Sequence, residues 1–198
     1  MSNGLHFYLN WAKERIDEMD ALVSSFEEKA KDVQADSRGK ADRIIADLHQ
    51  KRDEFQEAID KQSQANEATW QRTRTQLESM WSGFETEAQK YLDTFAKQMG
   101  QQQHVFQDLA NAQLKAWREG VEAFQNAAAE FQSNRRADAE AIVGQMKAGA
   151  AEAEAAFKNL KQTGTDSWSA LNAALAQSRK AFDQANQAAW DVFKKNDK

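Results

Sequence analysis

The chain has no cysteine and no proline among its 198 residues, and only eight glycines. Without cysteine there are no disulfides, no thiolate nucleophile and no Cys-ligated metal site. Without proline, and with glycine so sparse, the two strongest helix breakers are nearly missing from end to end. Large aliphatic side chains are also scarce: Leu, Ile, Val and Phe together supply 33 residues, fewer than the 35 alanines alone. No run approaches the ~18 apolar residues of a membrane span. The N-terminal MSNGLHFYLNWAKERI has no basic leader and is broken by His6, Asn10 and Lys13, so it does not read as a secretory signal. A soluble cytoplasmic protein is the expectation. Charge of one sign is missing as well. The net charge is -5 with acids and bases interleaved, which argues against a nucleic-acid partner, since that needs a basic face.

What is present is helix-forming material: Ala, Gln, Glu, Lys and Arg dominate, and alternating polar/apolar runs that would mark strands are absent. The first segment carries a heptad. Leu9, Ile16, Val23 and Ala30 lie seven apart, with Ala12, Met19, Phe26 and Val33 as the companion column, the a/d seam of a left-handed coiled coil. Gly39 is the expected turn that closes this helix. The dense charge of this N-terminal third predicts a well-solvated, self-pairing coiled coil. The cluster Leu5, Phe7, Tyr8, Leu9 and Trp11 reads as a hydrophobic staple on that helix, with a short anchor as the competing reading.

From Ile44 the period becomes eleven. One column runs Ile44, Phe55, Asn66, Leu77, Ala88, Met99, Ala110, Val121, and a second Leu48, Ile59, Trp70, Trp81, Leu92, Gln103, Leu114. A third spaces Phe84, Phe95, Phe106 and Trp117 eleven apart. Eleven residues make three turns at 3.67 residues per turn and return to nearly the same face. Because the quartet keeps phase across Gly100-Gln101-Gln102-Gln103-His104, the spacing favours a continuous helix there. A turn near Gly100 is the competing reading, and Ser133–Asp138 is the rival corner. Gln162–Ser167, with Gly164 to stop one helix and Thr165, Asp166 and Ser167 to cap the next, is the strongest boundary. The spacing recurs on both sides of it in Leu160, Leu171, Phe182 and Phe193, and again in Trp168 and Trp190.

These patterns predict an all-α protein: an elongated antiparallel helical bundle or coiled coil of long helices, heptad at the N-terminus and eleven-residue in the centre and C-terminus. The expected organisation is one elongated domain over 1–198. It comprises a heptad helix at 5–36, a long helix or helices at 41–132, an Ala-rich helix at 137–162 and a C-terminal helix at 166–195. The candidate contact stripe is Trp70, Trp81, Phe84, Leu92, Phe95, Phe106, Trp117, Trp168, Leu171, Phe182, Trp190 and Phe193.

Chemistry-bearing motifs are missing. His6, His49 and His104 are preceded three residues earlier by Asn3, Ala46 and Gln101 rather than by Glu, and no two histidines are four apart, so neither di-iron nor zinc spacing occurs. Carboxylate pairs such as Glu27-Glu28, Asp53-Glu54 and Glu152/Glu154 read as wet helix faces. No catalytic, cofactor-binding or metal residues and no small-molecule substrate are expected.

The eleven-residue amphipathic repeats resemble bacterial coiled-coil proteins similar to the apolipoprotein A/E helical domains, most closely from Trp168 to Phe193. VEAFQNAAAEFQSN, from Val121 to Asn134, is similar to phasins, which coat polyester granules. Apolipoproteins usually carry prolines between repeats, and this chain has none. The departure favours a permanent bundle over detachable helices. The expected function is that of a non-enzymatic scaffolding or stress-related structural protein that forms homo-oligomers. The alternative is reversible binding to a lipid or storage-granule surface.

Overall fold

A computed structural model describes residues 4–62, 67–95, 99–129, 133–162 and 168–194. Among them lie six α-helices: α1 Gly4–Ala30, α2 Ala35–Gln62, α3 Glu67–Phe95, α4 Met99–Ala128, α5 Ser133–Gln162 and α6 Trp168–Lys194. Helices pack on helices, an all-α bundle. Each helix exceeds the length at which helix formation in water is marginal, yet tertiary burial of one face supplies most of its stability. The wet faces carry pairs four residues apart, such as Gln50–Glu54, Arg74–Glu78 and Gln187–Asp191, each adding roughly 0.2–0.5 kcal/mol.

The first reversal differs from the sequence expectation. The heptad helix stops at Ala30 rather than 36, and Gly39 lies inside α2. The turn is Lys31–Gln34. Asp32 and Val33 donate backbone N–H groups to the carbonyls of Lys29 and Ala30, while Ser37 and Arg38 donate theirs to that of Gln34. The Arg38 guanidinium also reaches back to the Lys31 carbonyl at 2.6 Å. A basic side chain thus satisfies a carbonyl at the end of α1, work that glycine does in a conventional stop. Nothing lies within 4 Å of where a Cβ on Gly39 would stand.

The contacts divide the chain into two compact units, Arg15–Leu109 and Met1–Glu14 with Ala110–Lys198. In the Arg15–Leu109 unit, Asp20 pairs with Arg52 and Glu27 with His49, so α2 runs antiparallel to α1. Phe26 stacks on Tyr91 and Arg15 lies over Trp81, so α3 returns parallel to α1. Buried Ile44, Ile45, Leu48, Phe55 and Ile59 of α2 and Leu77, Phe84, Ala88 and Leu92 of α3 form the core with Met19, Val23 and Phe26.

The continuous helix through Gly100 is overturned. Phe26 of α1 meets Tyr91 and Glu28 of the same helix meets His104. Along one straight helix residues 91 and 104 would be ~20 Å apart, yet residues 26 and 28 are separated by only ~3 Å of rise. The chain therefore reverses between α3 and α4. Gly100 itself sits in the first turn of α4, and residues 96–98 lie outside the described segments. The long helix or helices expected over 41–132 are three, α2, α3 and α4.

In the other unit, Gln113 of α4 donates to the Leu175 carbonyl of α6 and Trp117 to Ser178, so α6 runs parallel to α4. Met146 and Gly149 of α5 approach Gly120 and Trp117 respectively, so α5 is antiparallel to both. α5 starts at Ser133, which places the suspected Ser133–Asp138 corner inside its first turns. The Gln162–Ser167 boundary falls between α5 and α6, and residues 163–167 lie outside the described segments.

Gly39→Ala should raise stability by about 0.5–1 kcal/mol, since helix propensity rises and no contact is disturbed. Phe84, fully buried, should cost about 3–5 kcal/mol as Phe84→Ala. Urea unfolding followed by circular dichroism reads both changes as shifts of the midpoint.

Candidate functional site

The candidate stripe is for the most part core. Trp81, Phe84, Leu92, Phe106, Trp117, Leu171 and Phe182 are buried. Phe95, Trp168 and Trp190 are partly exposed. Trp70 lies on α3 and Phe193 on α6, with side chains outside the described set. The helix reversal splits the third eleven-residue column: Phe84 and Phe95 sit on α3, Phe106 and Trp117 on α4. Eleven-residue spacing across a reversal leaves no common face, so the four rings do not form one stripe.

Two aromatic clusters organise the chain, one in each unit. In the Arg15–Leu109 unit, Phe26 and Tyr91 stack at 4.1 Å between centroids with planes 14° apart, and Phe95 joins Tyr91 at 5.1 Å. The Tyr91 hydroxyl donates to the backbone carbonyl of Phe26 at 3.0 Å. Burial, with the negative charges of Asp42 and Asp32 in support, pushes the Tyr91 phenol up to about 12. Trp81 stacks on Phe84 at 5.9 Å, and the Arg15 guanidinium carbon lies 5.2 Å from the Trp81 centroid, within cation–π range.

In the second unit the Trp117 indole meets Phe182 edge-on at 5.1 Å and 80°. Its Nε1–H donates to Ser178 Oγ at 3.3 Å. The outer end of the ring packs closely on Gly149, where an added Cβ would stand 2.6 Å from Cη2. Only glycine admits an indole so close.

The solvated first helix of the sequence reading is corrected here. In α1, Glu14, Arg15 and Glu18 are buried beside Ile16, Met19, Leu22 and Val23, so the helix is covered on more than its a/d seam. The heptad marks that seam but carries no sign of the second covered face, because charged side chains on a helix ordinarily face water. Tyr91 was missed too. It falls in none of the eleven-residue columns, and nothing local marks it as the partner of Phe26. The Leu5–Trp11 cluster lies within α1, and Trp11 is buried.

Charged groups on the surface pair across helices. Arg52 grips Asp20 with Nε to Oδ1 at 2.7 Å and Nη2 to Oδ2 at 3.1 Å, the bidentate fork that Lys does not reproduce, and this bond holds the guanidinium above its ordinary value. Glu28 is held below the usual carboxylate range, first by Lys29 and then by His104. Among the described residues no cluster of three or more His, Asp or Glu side chains is arranged to hold a metal, and no helix is long and apolar enough to cross a membrane. Comparison with protein families, with curated proteins and with solved structures finds no match.

Tyr91 makes stability depend on alkaline pH. Because its folded pKa lies above the unfolded value of 10, the neutral phenol stabilises the fold fully below pH 10. That contribution is lost as pH rises towards about 12, at most about 2–3 kcal/mol. Tyr91→Phe should cost about 1 kcal/mol at neutral pH and flatten the decline between pH 10 and 12. Chemical denaturation at stepped pH, with phenolate absorbance as a second readout, checks both.

Proposed function

We propose that the chain is a non-enzymatic helical scaffold of structural character that associates with copies of itself. The observation that carries this reading is the destination of the large side chains. Trp81, Phe84, Phe106, Trp117 and Phe182 are spent on contacts between helices, while the outer faces are lined by alanine and by charge pairs. A protein built so presents long helical faces to a partner. Support for self-association comes from the sparse supply of large apolar residues, 33 of 198, spread over helices of 27 to 30 residues. Pairing with a second copy covers surface that one chain cannot. Light scattering behind size exclusion, over a micromolar concentration series, should give a mass that is a multiple of 22.4 kDa. A constant mass of one chain throughout would overturn the proposal.

A second reading, reversible binding of a lipid or granule surface, is favoured by α6. Trp168 and Trp190 remain partly exposed at the margin of the face of α6 that buries Leu171, Leu175 and Phe182, and amphipathic helices with tryptophan at the polar boundary bind interfaces. Phosphatidylcholine vesicles should then carry the protein upward on flotation and shift tryptophan emission to the blue. Sedimentation of all the protein with unchanged emission removes this reading.

A further inference from the structure

Gln113, Trp117, Gly120 and Phe124 follow at steps of three or four residues along α4 and share one face, as do Leu175, Ser178, Phe182 and Asn186 along α6. The two parallel helices match these residues in layers. Gln113 donates to the Leu175 carbonyl, Trp117 donates to the Ser178 hydroxyl, and Gly120 leaves room for the Phe182 ring. The same register sets Asn186 level with Phe124, and there the matching fails. Phe124 is 0% exposed and Asn186 5%, yet among the described residues neither amide atom of Asn186 has a hydrogen-bond partner. Eleven residues earlier in the same column stands Leu175. A buried amide left unpaired carries its full desolvation penalty.

A second observation falls at the same end of α4. A cleft of about 240 Å³ lies between α4 and α5 there, lined by Gln125, Ala128, Ala129, Arg136, Glu140 and Val143. Helices α5 and α6, by contrast, bring their backbones close together at many points. Ala139, Ala153 and Ala189 are buried on them, and short side chains permit a short distance between helix axes. Helix α4 makes no comparably close approach to either. It is held through long side chains, above all the Trp117 ring against Gly149, Phe182 and Ser178. We infer that α5 and α6 move as one body that parts from α4 at the Phe124–Asn186 end, while the Trp117 end stays closed. Opening lets water reach the Asn186 amide, widens the cleft and uncovers the Phe124 ring. Local openings of this kind occur at free energies below that of global unfolding. The motion belongs to a single chain and does not depend on self-association.

The sequence has no cysteine, so one introduced thiol reports on one place. Ala128, on α4 beside the cleft, and Ala153, on α5 one turn past Gly149 at the Trp117 end, start from similar burial, 9% and 7% exposed. Alkylation by iodoacetamide of the full chain, each rate divided by that of the same variant in urea, should be at least ~10-fold faster for Ala128→Cys than for Ala153→Cys. Adding Asn186→Leu, which removes the unpaired amide, should slow Ala128→Cys by ~10-fold and leave Ala153→Cys unchanged. Because α6 moves intact, amides of residues 183–189 should exchange hydrogen within ~3-fold of those of residues 175–182. Equal alkylation at the two sites overturns the inference, as does Asn186→Leu leaving Ala128→Cys unslowed or slowing both alike. Exchange ~10-fold faster in residues 183–189 overturns it too, since the end of α6 would then fray alone. Should Asn186→Leu fail to fold, the alkylation ratio in the otherwise native chain and the exchange ratio decide on their own.

Discussion

The Trp117 indole rests on bare backbone at Gly149, turns its edge to Phe182 and gives its N–H to Ser178. One side chain of α4 thereby touches both α5 and α6. A chain with 33 large aliphatic and phenylalanine side chains for six helices closes its cores only when rings are shared in this way. Glycine is the complement of the shared ring, because the area an indole buries depends on how near the neighbouring backbone can come. The Phe26–Tyr91 stack does the same in the other unit, with the hydroxyl of Tyr91 tied to the backbone of α1.

The burial of α1 follows from the same shortage. A helix covered on more than one face needs apolar residues all round, and this one has too few, so Glu14, Arg15 and Glu18 are buried with Met19 and Val23. Burying charge is costly unless it is compensated. For Arg15 part of the compensation is the face of Trp81. Polar insertions of this kind favour one register over its neighbours, since a slip by one turn strands the charge against hydrocarbon.

Helices formed as the composition implied, and the heptad in α1 selected residues that are in fact buried, from Ala12 to Ala30. Other expectations failed for a common reason. The eleven-residue column kept phase through Gly100, yet periodicity reports only which residues would share a face if the helix were unbroken; it carries no information on whether it is. Gly39 looked like the stop, but the Arg38 side chain and the carbonyl of Gln34 make the turn without glycine five residues earlier. Seven of the twelve stripe residues proved to be core, because amphipathic spacing selects the apolar face correctly whatever eventually covers it.

The sequence by itself determined the helical class, the absence of thiol and proline chemistry, and the apolar face of most helices, since these depend on local propensity and on spacing within a few turns. The tertiary structure alone decided where the chain reverses, how the helices divide into two units, which charges of α1 are buried, and that Gly149 meets Trp117. Each of these depends on residues dozens of positions apart arriving at the same place, and no local pattern encodes that.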